Sequence, residues 1–150
     1  KRALLLQEYG LAAAELEVLL STSGRVPQKD HADALLLKLE LLLWTKSWAL
    51  AETALRAVDS HPTVSIVHPL KARREMLAGL FALGLGDTDT ALAKVNGAVS
   101  MLCHSGREDL LMEAVTIVAL VADRMNNVSM GIRHLSHVRD TAARLRREIE

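Results

Sequence analysis

The sequence predicts an all-α fold, and three observations favour it. Hydrophobic residues make up 50% of the 150 residues, and Leu and Ala, which are strong helix formers, predominate among them. Apolar side chains recur at steps of three and four residues, the spacing of one face of a helix. No stretch alternates apolar and polar residues as a half-buried strand does. A chain of this length can bury a sizeable core as one domain.

The pattern predicts seven helices in order. Apolar periodicity places them at about residues 1–22, 30–44, 47–59, 70–85, 88–103, 106–125 and 128–148.

Turn-forming residues separate these helices. The N-cap candidates are Ser47 for the third helix and Asp87 or Thr88 for the fifth. Their side chains can accept a hydrogen bond from an unpaired N–H of the first turn. Ser105 and Glu108 have the spacing of a capping box, which predicts a helix start near 106. An extended linker is expected between His61 and Pro69, because the residue before a proline resists the helical conformation.

Three short turns are spaced by forty residues, near Lys46, Gly86 and Asn126. A small residue follows each turn after five positions: Ala51, Ala91 and Gly131. Four residues later each copy has a larger apolar residue: Leu55, Val95 and Leu135. Three residues further the copies have Val58, Ala98 and Val138. This self-similarity predicts three helix–turn–helix repeats, at 31–60, 70–103 and 107–148, the last ending in a capping helix. Residues 1–22 would be a helix of a preceding repeat or a cap. The alternative is an ordinary helical bundle whose equal spacing is accidental.

With this spacing the chain resembles the tetratricopeptide-repeat superfamily over about residues 31–145. The middle copy carries the small–large signature best: Gly79, Ala82, Gly86, Ala91, Val95 and Ala98. Copy one departs from it, with Leu39 and Lys46 at the two glycine positions, and the period exceeds the usual ~34 residues. The resemblance implies a right-handed α-solenoid of antiparallel helix pairs. Longer, divergent repeats of this kind occur in cohesin-loader and anaphase-promoting-complex scaffolds, and in bacterial regulators of the maltose-activator type.

The resemblance also implies a concave groove lined by the first helix of each repeat. The implied partner-binding residues are Leu36, Glu40, Leu43, Trp44, Arg73, Met76, Leu80, Leu83, Thr116 and Leu120. Their apolar floor and charged edge would suit an amphipathic helix or an extended peptide. For Trp44 the alternative is a core tryptophan at a helix end. We therefore expect a scaffold that binds a protein or peptide partner within a larger assembly. The alternative function is a ligand-sensing regulatory domain that controls a separate effector domain.

Other function classes have little support in the sequence. Eighteen basic and eighteen acidic side chains give a formal charge of zero, so we expect no nucleic-acid or membrane partner. His134 and His137 lie three apart without a third ligand, so no metal is predicted, and no motif suggests catalysis or a cofactor. We expect the lone Cys103 to be a buried, inert thiol. An intracellular protein, cytoplasmic or nuclear, is the expectation from this cysteine usage.

Overall fold

The computed structural model describes residues 2–21, 27–103, 105–133, 136, 139–140 and 143, with 2–10 and 19 described by their backbone alone. Within these residues the chain is all-α, as predicted, and contains no strand. The helices are α1 (Arg2–Ser21), α2 (Gln28–Trp44), α3 (Trp48–Asp59), α4 (Pro62–Ile66), α5 (His68–Gly84), α6 (Thr88–Leu102) and α7 (Glu108–Arg124). Residues 128–133 are helical again, and most of the predicted capping helix beyond them lies outside the described residues.

The extended linker predicted between His61 and Pro69 is wrong. Five of its residues form the short helix α4, and α5 already begins at His68. Proline lacks the N–H that a helix start leaves unpaired, so Pro62 and Pro69 fit the first turns of these helices. Only His61 and Val67, which precede the two helices, keep an extended backbone.

The structure confirms the predicted start of α6 but not that of α7. Asp87 caps α6 as expected, and its carboxylate accepts from the Thr90 N–H at 3.0 Å. The capping box does not start α7 near 106, because Gly106 has a φ of +69° and α7 begins only at Glu108. The Ser105 hydroxyl instead accepts from the Arg107 N–H at 3.2 Å.

The three predicted turns have the same backbone geometry. Lys46, Gly86 and Asn126 all adopt positive φ, at +57°, +87° and +53°. In each turn the following N–H donates back to a carbonyl five residues earlier, at 2.8–3.0 Å: Ser47 to Leu42, Asp87 to Ala82 and Asn127 to Ala122. This is the Schellman ending of a helix, which satisfies carbonyl groups that the last turn leaves unpaired. The forty-residue spacing of the turns is therefore a property of the structure.

Consecutive helices pack on one another around two linked clusters of buried side chains. One cluster joins α2, α3, α4 and α5, and the other joins α5, α6 and α7. Two of the three small residues predicted to allow close packing, Ala51 and Ala91, are fully inaccessible, and Gly131 is partly buried. A β-carbon on Gly131 would meet the Ala122 Cβ at 3.7 Å, which is ordinary contact.

The prediction of a buried Cys103 is wrong, since the thiol side chain is exposed. Leu102 occupies the inward position at the end of α6, with 2% of its surface accessible. Cys103 is the next residue, the C-cap, and a helix turns each successive side chain by about 100°.

Candidate partner-binding groove

Side chains from α2, α5 and α7 line one small, mainly apolar cavity of about 150 Å³. Its lining includes seven of the ten residues that the sequence predicts for a groove: Glu40, Trp44, Arg73, Met76, Leu80, Thr116 and Leu120. Three further residues complete it: Leu77, Glu113 and Ile117. We call this surface the α2–α5–α7 groove. It is the place where the three predicted first helices meet.

The other three predicted groove residues do not line this cavity. Leu36 is fully buried and Leu43 is 7% accessible, and both belong to the core between α2 and α5. Leu83 is half-buried and packs against the cluster of α5, α6 and α7. α2 and α5 each carry apolar residues on more than one face. The face that turns toward the core carries these three leucines, and the groove is lined by other residues.

The mouth of the groove exposes two large apolar side chains. Trp44 is 61% accessible at the end of α2, and Leu120 is 46% accessible on α7. The alternative of a core tryptophan is therefore wrong for Trp44; Trp48 is the one that packs inside, against Phe81 with ring centroids 6.4 Å apart. Beneath the mouth, Met76 forms a buried floor. An exposed aromatic ring over an apolar floor is a surface suited to an apolar side chain of another molecule.

Charged side chains stand at one edge of the groove. Arg73 Nη2 donates to Glu40 Oε2 at 2.7 Å, and each of these side chains is about a quarter accessible, at 26% and 24%. Glu113 belongs to the same lining. Partial desolvation by the groove, and then the charge of Glu40, raise the pKa of Glu113 above its ordinary value, while Arg73 acts in the opposite direction. The local field thus opposes further negative charge.

A second and larger cavity, of about 500 Å³, lies between α1, α2 and α3. Its walls are mainly aliphatic, and its lining includes Ala13, Leu42, Leu50 and Ala57. Lys38 Nζ and Glu17 Oε1 form an ion pair of 2.5 Å within the lining. Sequence reasoning missed this cavity because its existence depends on how α1 packs against α2, which no local pattern specifies.

The described residues include no group of three or more His, Cys, Asp and Glu side chains able to hold a metal ion. His134 and His137 lie outside those residues. The histidines that do meet are His31 and His61, whose Nδ1 and Nε2 atoms are 3.1 Å apart. Within the part of the chain that the structure describes, no helix combines the length and apolar character needed to cross a bilayer.

No protein-family model matches the chain, and comparison with curated proteins and with solved structures gave no match. The resemblance to tetratricopeptide repeats therefore rests on the repeat itself.

Proposed function

We propose that this chain is a non-catalytic protein-interaction scaffold. Its α2–α5–α7 groove would hold a helix or peptide of a partner protein, as part of a larger assembly. The observation that carries the proposal is the convergence of three predicted first helices on one apolar cavity whose mouth exposes Trp44 and Leu120.

The proposed architecture is a right-handed α-solenoid of tetratricopeptide-like helix pairs. Its support is the turn that recurs every forty residues, together with the order of helix contacts. α5 lies between its neighbours and contacts both α2 and α7, while α3 and α6 each contact the first helix of the following pair. Contacts of each unit with the next one are what a stack of repeats requires.

The affinity of such a groove would come from a few buried apolar contacts. Aromatic residues dominate interface energetics, and Trp44 offers a rigid ring with little side-chain entropy to lose. The cavity has room for one aliphatic side chain of a partner beside Leu120. Charges at the edge would act on association rate and on choice of partner.

The test is a selection of binders from a displayed library of random helical peptides, followed by titration into two variants. Leu120→Asp places a charge at the mouth of the groove, and we expect it to weaken selected peptides at least tenfold, as for a central apolar contact. The matched control is Ile66→Asp, because Ile66 is also aliphatic and exposed but lies on α4, away from the groove. The Trp44 indole N–H resonance should shift on binding, with a smaller response at Trp48.

The proposal fails if the selected peptides bind both variants as tightly as the unchanged protein, since they would then occupy another surface. It also fails if the library returns no binder at all.

A second candidate, the ligand-sensing domain, has one observation in its favour. The cavity between α1, α2 and α3, at about 500 Å³, lies in the range of small-molecule sites. Binding of a small apolar ligand such as naphthalene should raise the melting temperature, because it would bind the folded state and not the unfolded chain. Ala57→Phe, which adds a phenyl ring to the lining of the cavity, should abolish that rise, whereas Ala49→Phe on the same helix, outside the lining, should not.

A further inference from the structure

The charges at the α2–α5–α7 groove are not balanced. Arg73 forms an ion pair with Glu40, with Nη2 2.7 Å from Oε2. Glu113 lines the same cavity but has no ion-pair partner among the described residues. One carboxylate at the edge of an apolar pocket is thus left for a group from outside the chain.

Charged groups outside the lining of the groove also act on this region. The charges that act on Glu113 include Asp109 as well as Glu40 and Arg73, and Asp33 acts on the guanidinium of Arg107. Arg107 is itself paired with Asp109, donating from both Nε and Nη2 at 2.9 and 2.7 Å. Four carboxylates therefore face two guanidinium groups here, although the whole chain has a formal charge of zero. Glu40 and Asp109 are paired with the two guanidinium groups, so Glu113 is the carboxylate of the groove lining that has no ion pair among the described residues.

Trp44 provides a second feature that favours a cation. Its ring is 61% accessible and lines the same cavity as Glu113. An ammonium or guanidinium group is attracted to the face of an indole ring, and the attraction grows when the pair is shielded from water. An apolar pocket whose lining includes both a carboxylate and an exposed tryptophan complements a side chain that is both long and positively charged.

We propose that the partner segment of the groove is cationic, and that it places a lysine or arginine against Glu113 while an adjacent apolar side chain enters the pocket between Trp44 and Leu120. This inference rests on the proposed function, since it specifies the chemistry of the segment that the groove would bind. The expected occupant of the groove is therefore a basic amphipathic helix of another protein.

The experiment uses two synthetic helical peptides, each with a pair of leucines at i and i+4 as apolar anchor. One peptide carries three lysines beside the leucines and the other carries three glutamates at the same positions. Each is titrated into the protein at low salt, and binding is read from the Trp44 indole N–H resonance. We expect the lysine peptide to bind at least about tenfold more tightly, because opposite charges attract and like charges repel across an interface. Raising the salt to about 0.5 M should largely remove the difference.

Two variants locate the cation. Glu113→Gln should weaken the lysine peptide about fivefold, the loss of one partly exposed charge pair. Glu15→Gln makes the same change of charge on an exposed residue of α1 and should leave the affinity unchanged. Circular dichroism of both variants should match that of the unchanged protein.

The possible failures are distinguishable. If neither peptide shifts the Trp44 resonance, the groove does not bind helices and the proposed function itself is wrong. If both peptides bind equally, the groove binds helices but the inference about charge is overturned. If the lysine peptide is preferred but Glu113→Gln and Glu15→Gln behave alike, the cation lies elsewhere and the assignment to Glu113 is overturned.

Discussion

Gly79 of α5 lies directly against Val95 of α6. A β-carbon at position 79 would stand far inside van der Waals contact with Val95 Cγ2, and 3.2 Å from the carbonyl oxygen of Ala91. Both Ala91 and Val95 are fully buried, so neither can move aside into solvent. The missing side chain at position 79 therefore sets the distance between α5 and α6, the two helices with the most extensive contact in the fold.

We expect Gly79→Ala to lower the free energy of unfolding by about 1–3 kcal/mol, the usual cost of overpacking a well-packed core. Gly97→Ala is the matched control, because a β-carbon there meets nothing within 4 Å. Within a helix that exchange should raise stability by about 0.5–1 kcal/mol. Urea unfolding of the two variants measures both values. Equal stability of Gly79→Ala and Gly97→Ala would contradict the close approach of α5 and α6.

The turn at Lys46 predicts a stabilising substitution. Lys46 has a φ of +57°, a conformation that a side chain makes unfavourable and that glycine adopts freely. Lys46→Gly should therefore raise the free energy of unfolding by about 0.5–1 kcal/mol. Lys46→Ala removes the same charge but keeps a β-carbon, so it should have little effect. If the alanine variant gains as much as the glycine variant, the side-chain charge and not the backbone is responsible.

The three similar turns were accessible to sequence analysis because turn geometry depends on local residues. The turns at Lys46 and Asn126 lack glycine, but their spacing from Gly86 and the small residues that follow them were sufficient. The start of α7 was predicted two residues early, since a serine three residues before a glutamate is also compatible with a glycine turn at Gly106.

The groove was only partly accessible to sequence analysis. α2 is apolar around much of its circumference: Leu35, Leu36, Leu37, Leu39, Leu41, Leu42 and Leu43 all lie within nine residues. A helix of this kind does not reveal which face is inward, and the structure buries Leu36 and Leu43 while it leaves Leu37 exposed. The ion pair between Glu40 and Arg73 joins residues 33 positions apart, so it also depends on tertiary packing.

Leu80 and Leu120 both line the groove but should respond differently to substitution. Leu80 is half-buried and packs against both core clusters, whereas Leu120 is 46% accessible. We expect Leu80→Asp to lower the free energy of unfolding by about 2–4 kcal/mol, through lost apolar burial and a partly desolvated charge. Leu120→Asp should change it by less than about 0.5 kcal/mol. Urea unfolding compares the two, and an unaffected Leu80→Asp variant would mean that Leu80 does not connect the clusters.

The stacked pair of His31 and His61 predicts a loss of stability in mild acid. Their rings are 5.2 Å apart between centroids, and His61 Nδ1 is buried without a hydrogen-bond partner in the described part of the chain. Burial first, and the charge of His31 second, hold the pKa of His61 below its ordinary value of 6.5. The folded protein thus binds fewer protons than the unfolded chain just below that pH. The contribution of neutral His61 to the free energy of unfolding should be fully present above about pH 6.5. It should decrease as the pH is lowered, until His61 is also protonated in the folded state.

His61→Gln removes this contribution, since glutamine can keep a hydrogen bond to His31 but cannot become charged. Urea unfolding at pH 5 and pH 7.5 should show a smaller difference for this variant than for the unchanged protein. His68→Gln serves as the control, because His68 is exposed at the start of α5 and the pair does not include it. Because α2 carries His31 and the α3–α4 junction carries His61, protonation acts where these helices meet. A pH dependence that is the same in all three proteins would place the acid-sensitive group outside the His31–His61 pair.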